Sequence, residues 1–167
     1  HGRVLLGWEH GQAGGAVFGT RTLKPTPAVR KWLQLRLNAW RRAKPFEGVQ
    51  VTPNFLAQID VAECPILRLA LTHASGAGSD ASVDRVNNAA GYAAGNLAVM
   101  SVRANQAKSD YGWRDCAAFA CQVEAGRLGA IDGLDARQWA RLAALTSLCT
   151  PMGHREAATM PLLVLPP

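Results

Sequence analysis

Ser82-Val-Asp84-Arg85-Val-Asn87-Asn88-Ala-Ala-Gly91-Tyr92-Ala-Ala-Gly95-Asn96-Leu-Ala-Val-Met-Ser101-Val-Arg103-Ala-Asn105-Gln-Ala-Lys108-Ser-Asp110 is the stretch on which the fold turns. Val83 to Val86 reads as a short strand, Asn87 to Gly95 as a loop rich in Asn, Gly and Ala, and Leu97 to Ser101 as a buried strand. A helix is expected from near Val102 past Lys108, with Gly112 as its candidate break before it continues to Glu124. Asp84 then closes the first strand, Asn96 opens the second and Asn105 sits in the first turns of the helix. All three are residue types that can ligate a hard cation through oxygen, and each alone is also an ordinary turn or cap residue.

Working outward, Thr26-Pro27 and Thr52-Pro53 are both cap-then-proline helix starts. The first opens an amphipathic helix with Val29, Trp32, Leu33, Leu35, Leu37 and Trp40 as its apolar face. The second opens a short helix through about Ala62, ended by a turn at Glu63-Cys64-Pro65. Ile66 to Leu71 is β-prone and Ser75 to Ser82 a small-residue loop. Asp135 is the N-cap of a last helix to Cys149, with Trp139, Leu142, Leu145 and Leu148 as its buried stripe. The first 20 residues are Gly-rich and aperiodic, a loop or frayed lead-in. The order is α+β with a very small sheet, organised as a basic helical segment (1–50), a hairpin-and-helix unit (51–112) and C-terminal helices (113–167) within one compact domain.

The 167 residues carry 18 Lys or Arg against 12 Asp or Glu, a net charge of +6. Eight of those bases and no acid fall between Arg21 and Lys44, so the remainder holds ten bases against twelve acids, or −2. The positive charge is therefore local. A solvated helix normally mixes signs for i,i+4 pairing, and this one, with Arg30, Lys31, Arg36, Arg41 and Arg42, does not. It suits a polyanion, with DNA as the expected partner. No window approaches the ~18 apolar residues that span a bilayer, and no signal peptide opens the chain. A cytoplasmic protein without membrane contact or small-molecule cofactor is expected. The start at His1 and the apolar end at 161–167 read as a piece of a longer protein. Cys64, Cys116, Cys121 and Cys149 contain no C-x-x-C pair or zinc spacing, so buried reduced thiols and no structural zinc are expected.

Asp84-Arg85-Val, Gly91-Tyr92, Asn96 and Arg103-Ala-Asn105-x-x-Lys108 fall in register over about 29 residues, after the Cys64-Pro65-Ile66-Leu67 opening. In this the chain resembles the HNH endonuclease family and its ββα-metal finger. The resemblance covers somewhat over a quarter of the chain, and it implies a two-stranded hairpin plus helix flanked by N- and C-terminal helices. It implies Asp84 and Asn105 as ligands of one divalent cation, Mg²⁺ first and Mn²⁺ second. By the same likeness Asn96 fixes the loop and the orientation of the base, and Arg103 and Lys108 reach backbone phosphates. The activity implied is metal-dependent hydrolysis of DNA, an endonuclease or nickase. Two departures stand out. The position after the metal-binding Asp, where the family's nucleases carry the His base, holds Arg85, whose pKa above about 12 bars it from accepting a proton. Three readings stay open: another base, His73 being nearest in sequence; Arg85 as a phosphate clamp for slow cleavage, since losing a base costs about 10²- to 10⁴-fold; or a degenerate, non-cleaving DNA-binding module. The second departure is that Ser101 and Ala104 stand where many relatives place their second zinc-binding cysteine pair.

Overall fold

The computed structural model describes residues 24–159, so the Gly-rich lead-in lies outside the described residues. Among the described residues six α-helices and one two-stranded sheet occur in the order α1 (Pro27–Arg41), α2 (Pro53–Gln58), β1 (Ala81–Arg85), β2 (Leu97–Ser101), α3 (Val102–Lys108), α4 (Trp113–Glu124), α5 (Ala136–Leu148) and α6 (His154–Thr159). The fold is small α+β, as expected. The strands run antiparallel, with Val83 opposite Val99 and Asp84 opposite Ala98.

The caps read from sequence form as hydrogen bonds. Thr26 accepts from the Val29 N–H, Thr52 from Phe55 and Asp135 from Gln138, each satisfying a donor that the first turn leaves open. Ser101 closes β2 and caps α3 at once, its Oγ accepting from the Ala104 N–H. This direct turn from strand to helix holds Asn105 close to the hairpin. The break after Lys108 is set by Ser109, at φ 47°, and α4 restarts from Gly112, whose N–H donates to Asp115.

Three expectations are corrected. The segment Ile66–Leu71 forms a closed loop, not a strand. The Cys64 N–H donates to Leu69 O and the Cys64 thiol accepts from Leu67 N–H, so Ile66 and Leu67 enter the core as plugs. Helix α2 stops at Gln58, because the chain then pairs sideways, Ala62 O accepting from Leu71 N–H. On α1 only Leu35 and Ala39 are buried. Leu33, Leu37 and Trp40 face outward, and Leu148 of the last helix does the same.

Two hydrophobic clusters flank the hairpin. One gathers Cys64, Ile66, Met100, Cys116, Leu134, Leu142 and fully buried Trp139, whose ring meets Phe119 edge-on at 4.9 Å. The other gathers Leu35, Ala39, Val51, Leu56, Tyr92 and Leu97 beneath α1 and α2. Strand β2 contributes Met100 to the first and Leu97 to the second, and so joins them.

Candidate functional site

Alternation along β1 sends Ser82 and Asp84 to one face of the hairpin. There they line a cleft of about 620 Å³ with Arg85, with Asn105 and Gln106 of α3, with Asp110 just beyond α3, with Asn38 of α1 and with Arg42 at the C-cap of α1. The hairpin, the helix that follows it and the basic helix thus converge on one cavity.

Asp84 lies on the cleft floor, almost buried. The Lys108 ammonium is 2.9 Å from its Oδ2, and Lys108 also donates to Arg85 O at 3.1 Å. At that distance the contact is a charge pair, and no other donor serves Asp84 Oδ2 among the described residues. Burial pushes the Asp84 carboxyl above its ordinary pKa, and the Lys108 charge is the main force opposing that rise. Asn105 donates from Nδ2 to Ser82 Oγ at 2.9 Å, and among the described residues its amide oxygen has no protein donor.

Arg85 is nearly buried. Its Nη1 donates to Asn88 O and Ala90 O, each at 2.9 Å, and its guanidinium lies 5.1 Å from the Tyr92 ring. These contacts use two of its five N–H groups. Asn96 clasps the same loop from beneath: its Oδ1 accepts from Asn87 N–H at 2.7 Å and its Nδ2 donates to Asn87 O and Gly91 O. Asn96 lies outside the cleft lining, so its contacts fix the loop alone. Gly91 has a steric reason: a Cβ there would sit 2.6 Å from Pro45 O. That close approach lets Tyr92 N–H donate to Pro45 O and stacks the Tyr92 ring on Phe46 at 6.1 Å, which moors the loop to the segment after α1.

Not every expected residue comes to this place. Comparison with family models, curated proteins and solved structures finds no match to this chain. His73 lines a separate cavity with Ala81, Val83, Val99 and Lys31, on the face of β1 away from Asp84. Lys108, expected at phosphates, has no exposed surface and is the internal counter-ion of Asp84. Arg103 projects from the far side of α3 and donates to Gly133 O, because the turn from Ser101 aims Asn105 rather than Arg103 at the hairpin. Of the cations on α1 and at its C-cap only Arg42 reaches the cleft. Arg30 donates to Pro25 O, Arg36 lies over the Trp32 ring, Lys31 faces the His73 cavity, and Arg41 is exposed. Ser82, Asn38, Gln106 and Asp110 were missed. Two-residue spacing from Asp84 marks Ser82, and the spacing 35, 38, 42 around buried Leu35 marks Asn38.

As a cation site, the cleft offers, among the described residues, a carboxylate whose Oδ2 has no donor besides Lys108 and an amide oxygen without a protein partner. Two hard oxygen donors on one wall fit an ion such as Mg²⁺ that keeps several waters and takes its remaining ligands from a phosphate. Among the described residues no group of three His, Cys, Asp or Glu converges to hold an ion without such help.

Proposed function

We propose that the chain is an HNH-like, divalent-cation-dependent endonuclease or nickase that hydrolyses phosphodiester bonds of DNA, with its cleft as a ββα-metal finger. The observation that carries this reading is the convergence of Asp84, Asn105, Arg85 and Arg42 on one cleft. Asp84 and Asn105 would hold the cation, which when bound supplies positive charge to the scissile phosphate and the leaving oxygen. Arg42 and the N–H groups of Arg85 left over from the loop position that phosphate. Lys108 sets its ammonium against Asp84 and opposes the rise that burial imposes on the carboxyl. Asn96 and Gly91-Tyr92 keep the loop, and through it Arg85, at the cleft edge.

The second reading, a DNA-binding module that does not cut, is favoured by two observations. No histidine among the described residues lines the cleft, and Lys108 already compensates Asp84. Nicking of supercoiled plasmid in Mg²⁺ or Mn²⁺ against EDTA decides between them. The nuclease reading expects metal-dependent nicking that falls at least about 100-fold in Asp84→Asn. Nicking that survives Asp84→Asn overturns the cation assignment. Salt-sensitive binding without nicking, in the wild type and in Arg85→His, gives the second reading.

A further inference from the structure

On the flank of α1 opposite the Asp84 cleft lies a second feature that the proposed chemistry does not use. Trp32, Arg36, Trp40, Lys44 and Phe46 line a notch of about 580 Å³. Its inner wall is fixed: Trp32 Nε1 donates to Val51 O at 2.7 Å, and Phe46 meets Trp32 edge-on. The Arg36 guanidinium lies 4.7 Å from the Trp32 ring and 6.0 Å from the Phe46 ring, and the residue is exposed. At the rim Trp40 is 51% exposed, an unusual price in free energy for so large an apolar ring. Gly48 leaves the floor open, a Cβ there meeting nothing within 4 Å.

We propose that this notch binds single-stranded nucleic acid, one unpaired base stacking on Trp40 while adjacent phosphates pair with Arg36 and Lys44. Charge decides the class of partner: Arg36 and Lys44 line the notch and, among the described residues, no acid does, which favours a polyanion. Shape decides the kind of polyanion. The notch is concave and flanked by planar groups, which suits a flat base with its phosphate. A lipid surface would need a broad apolar face, and the outward apolar residues of α1 are only Leu33, Leu37 and Trp40. A duplex keeps its base faces stacked inside and cannot use Trp40, so the preference is for unpaired strands. The proposal rests on the chain binding nucleic acid, and it places a strand away from the bond to be cut.

The test is binding of the full chain to an oligothymidylate of about 16 nucleotides and to a duplex of equal length, in EDTA so that cleavage plays no part. The wild type should prefer the single strand and show quenched tryptophan fluorescence. Trp40→Leu keeps an apolar side chain but removes the stacking face. It should weaken single-strand binding about ten- to a hundred-fold, leave duplex binding within about twofold and leave Tm unchanged. Arg36→Gln should lower the slope of log affinity against log salt by about 0.7. The proposal is overturned by undiminished single-strand affinity in Trp40→Leu, by a duplex bound as tightly as the single strand, or by capture on phosphatidylglycerol vesicles without oligonucleotide binding. Absence of any oligonucleotide binding in EDTA sinks this proposal, and the nuclease reading falls with it only if nicking in Mg²⁺ or Mn²⁺ is absent as well. Single-strand binding lost in Trp40→Leu, with plasmid left intact, sinks only the latter.

Discussion

The two hydrophobic clusters on either side of the hairpin differ in kind. The C-terminal one is dry and aromatic: Tyr111, Phe119 and Trp139 meet edge-on, and the Trp139 Nε1 donates to Ile131 O at 3.0 Å, which leaves the ring no unsatisfied donor. The N-terminal one is threaded with cations, Arg36 over Trp32 and Arg85 over Tyr92, and its Leu35 and Tyr92 reach the cleft wall. One side supplies a rigid base for β2 and α3, and the other supplies the charged surface those elements face. The difference is expected to show most in truncation. Trp139→Ala should cost about 4 to 5 kcal/mol by urea unfolding, since the ring is fully buried among close neighbours. Phe46→Ala, at a half-buried ring, should cost about 2 kcal/mol. Equal losses would show that the two clusters carry stability alike.

The Lys108–Asp84 pair lies where the two regions meet, and it gives the next largest effect. Lys108→Met retains the buried stem but leaves Asp84 without a cation, for about 3 kcal/mol, the lower end for a broken buried pair because Asp84 opens onto the cleft. The loss should depend on pH. Burial raises the Asp84 carboxyl above its ordinary value of 3.8, and the Lys108 charge opposes the rise, so removing Lys108 raises it further. A carboxyl with a higher pKa in the folded state contributes stability that is full below the unfolded value and is lost as pH rises through the folded one. The deficit of Lys108→Met is therefore largest at neutral pH and narrows on acidification toward about pH 4. Asp80 has the opposite sign. Hydrogen bonds from the Ser75 and Thr72 side chains hold its carboxyl well below the usual range, so its contribution is present above 3.8 and fades as pH falls. That background is common to both proteins and cancels in their difference. A deficit that grows toward acid would show that Lys108 does not compensate Asp84.

Local signals were legible in the sequence, and long-range ones were not. Thr26, Thr52, Asp135 and the strand Leu97–Ser101 could be read because a cap or an apolar run is decided within a few residues. The grouping of Asp84 with Asn105 in one cleft was also legible, through the spacing of a hairpin and a helix that follow each other without a gap. What failed depended on partners distant in the chain. Ile66 and Leu67 look β-prone, and the backbone and thiol of Cys64 turn them into a closed loop, the thiol being held in turn by the Ser101 N–H at 3.3 Å. Lys108 looks like a surface cation, and its burial follows from Asp84, 24 positions earlier, lying within ion-pair distance. The stripe Leu33, Leu37, Trp40 has helical spacing identical to a core face, yet α1 buries the neighbouring Leu35 and Ala39 instead. Periodicity marks an apolar stripe, and packing decides which one turns inward.

The smallest of these effects sharpens the comparison most, because it should stay on one side. Arg85→His removes a guanidinium that donates to Asn88 O and Ala90 O and lies over Tyr92. An imidazole is too short to reach both carbonyls, and neutral imidazole offers a single N–H. The expected loss is about 2 kcal/mol, in the range of hydrogen bonds from a charged donor. It should appear first as faster amide exchange over residues 87–92, with protection around Trp139 unchanged, because no contact of Arg85 reaches the aromatic cluster. A histidine at this position would thus disturb the loop that shapes the cleft. Raised exchange around Trp139 as well would mean that the two regions unfold as one unit, and the distinction between rigid base and charged surface would fail.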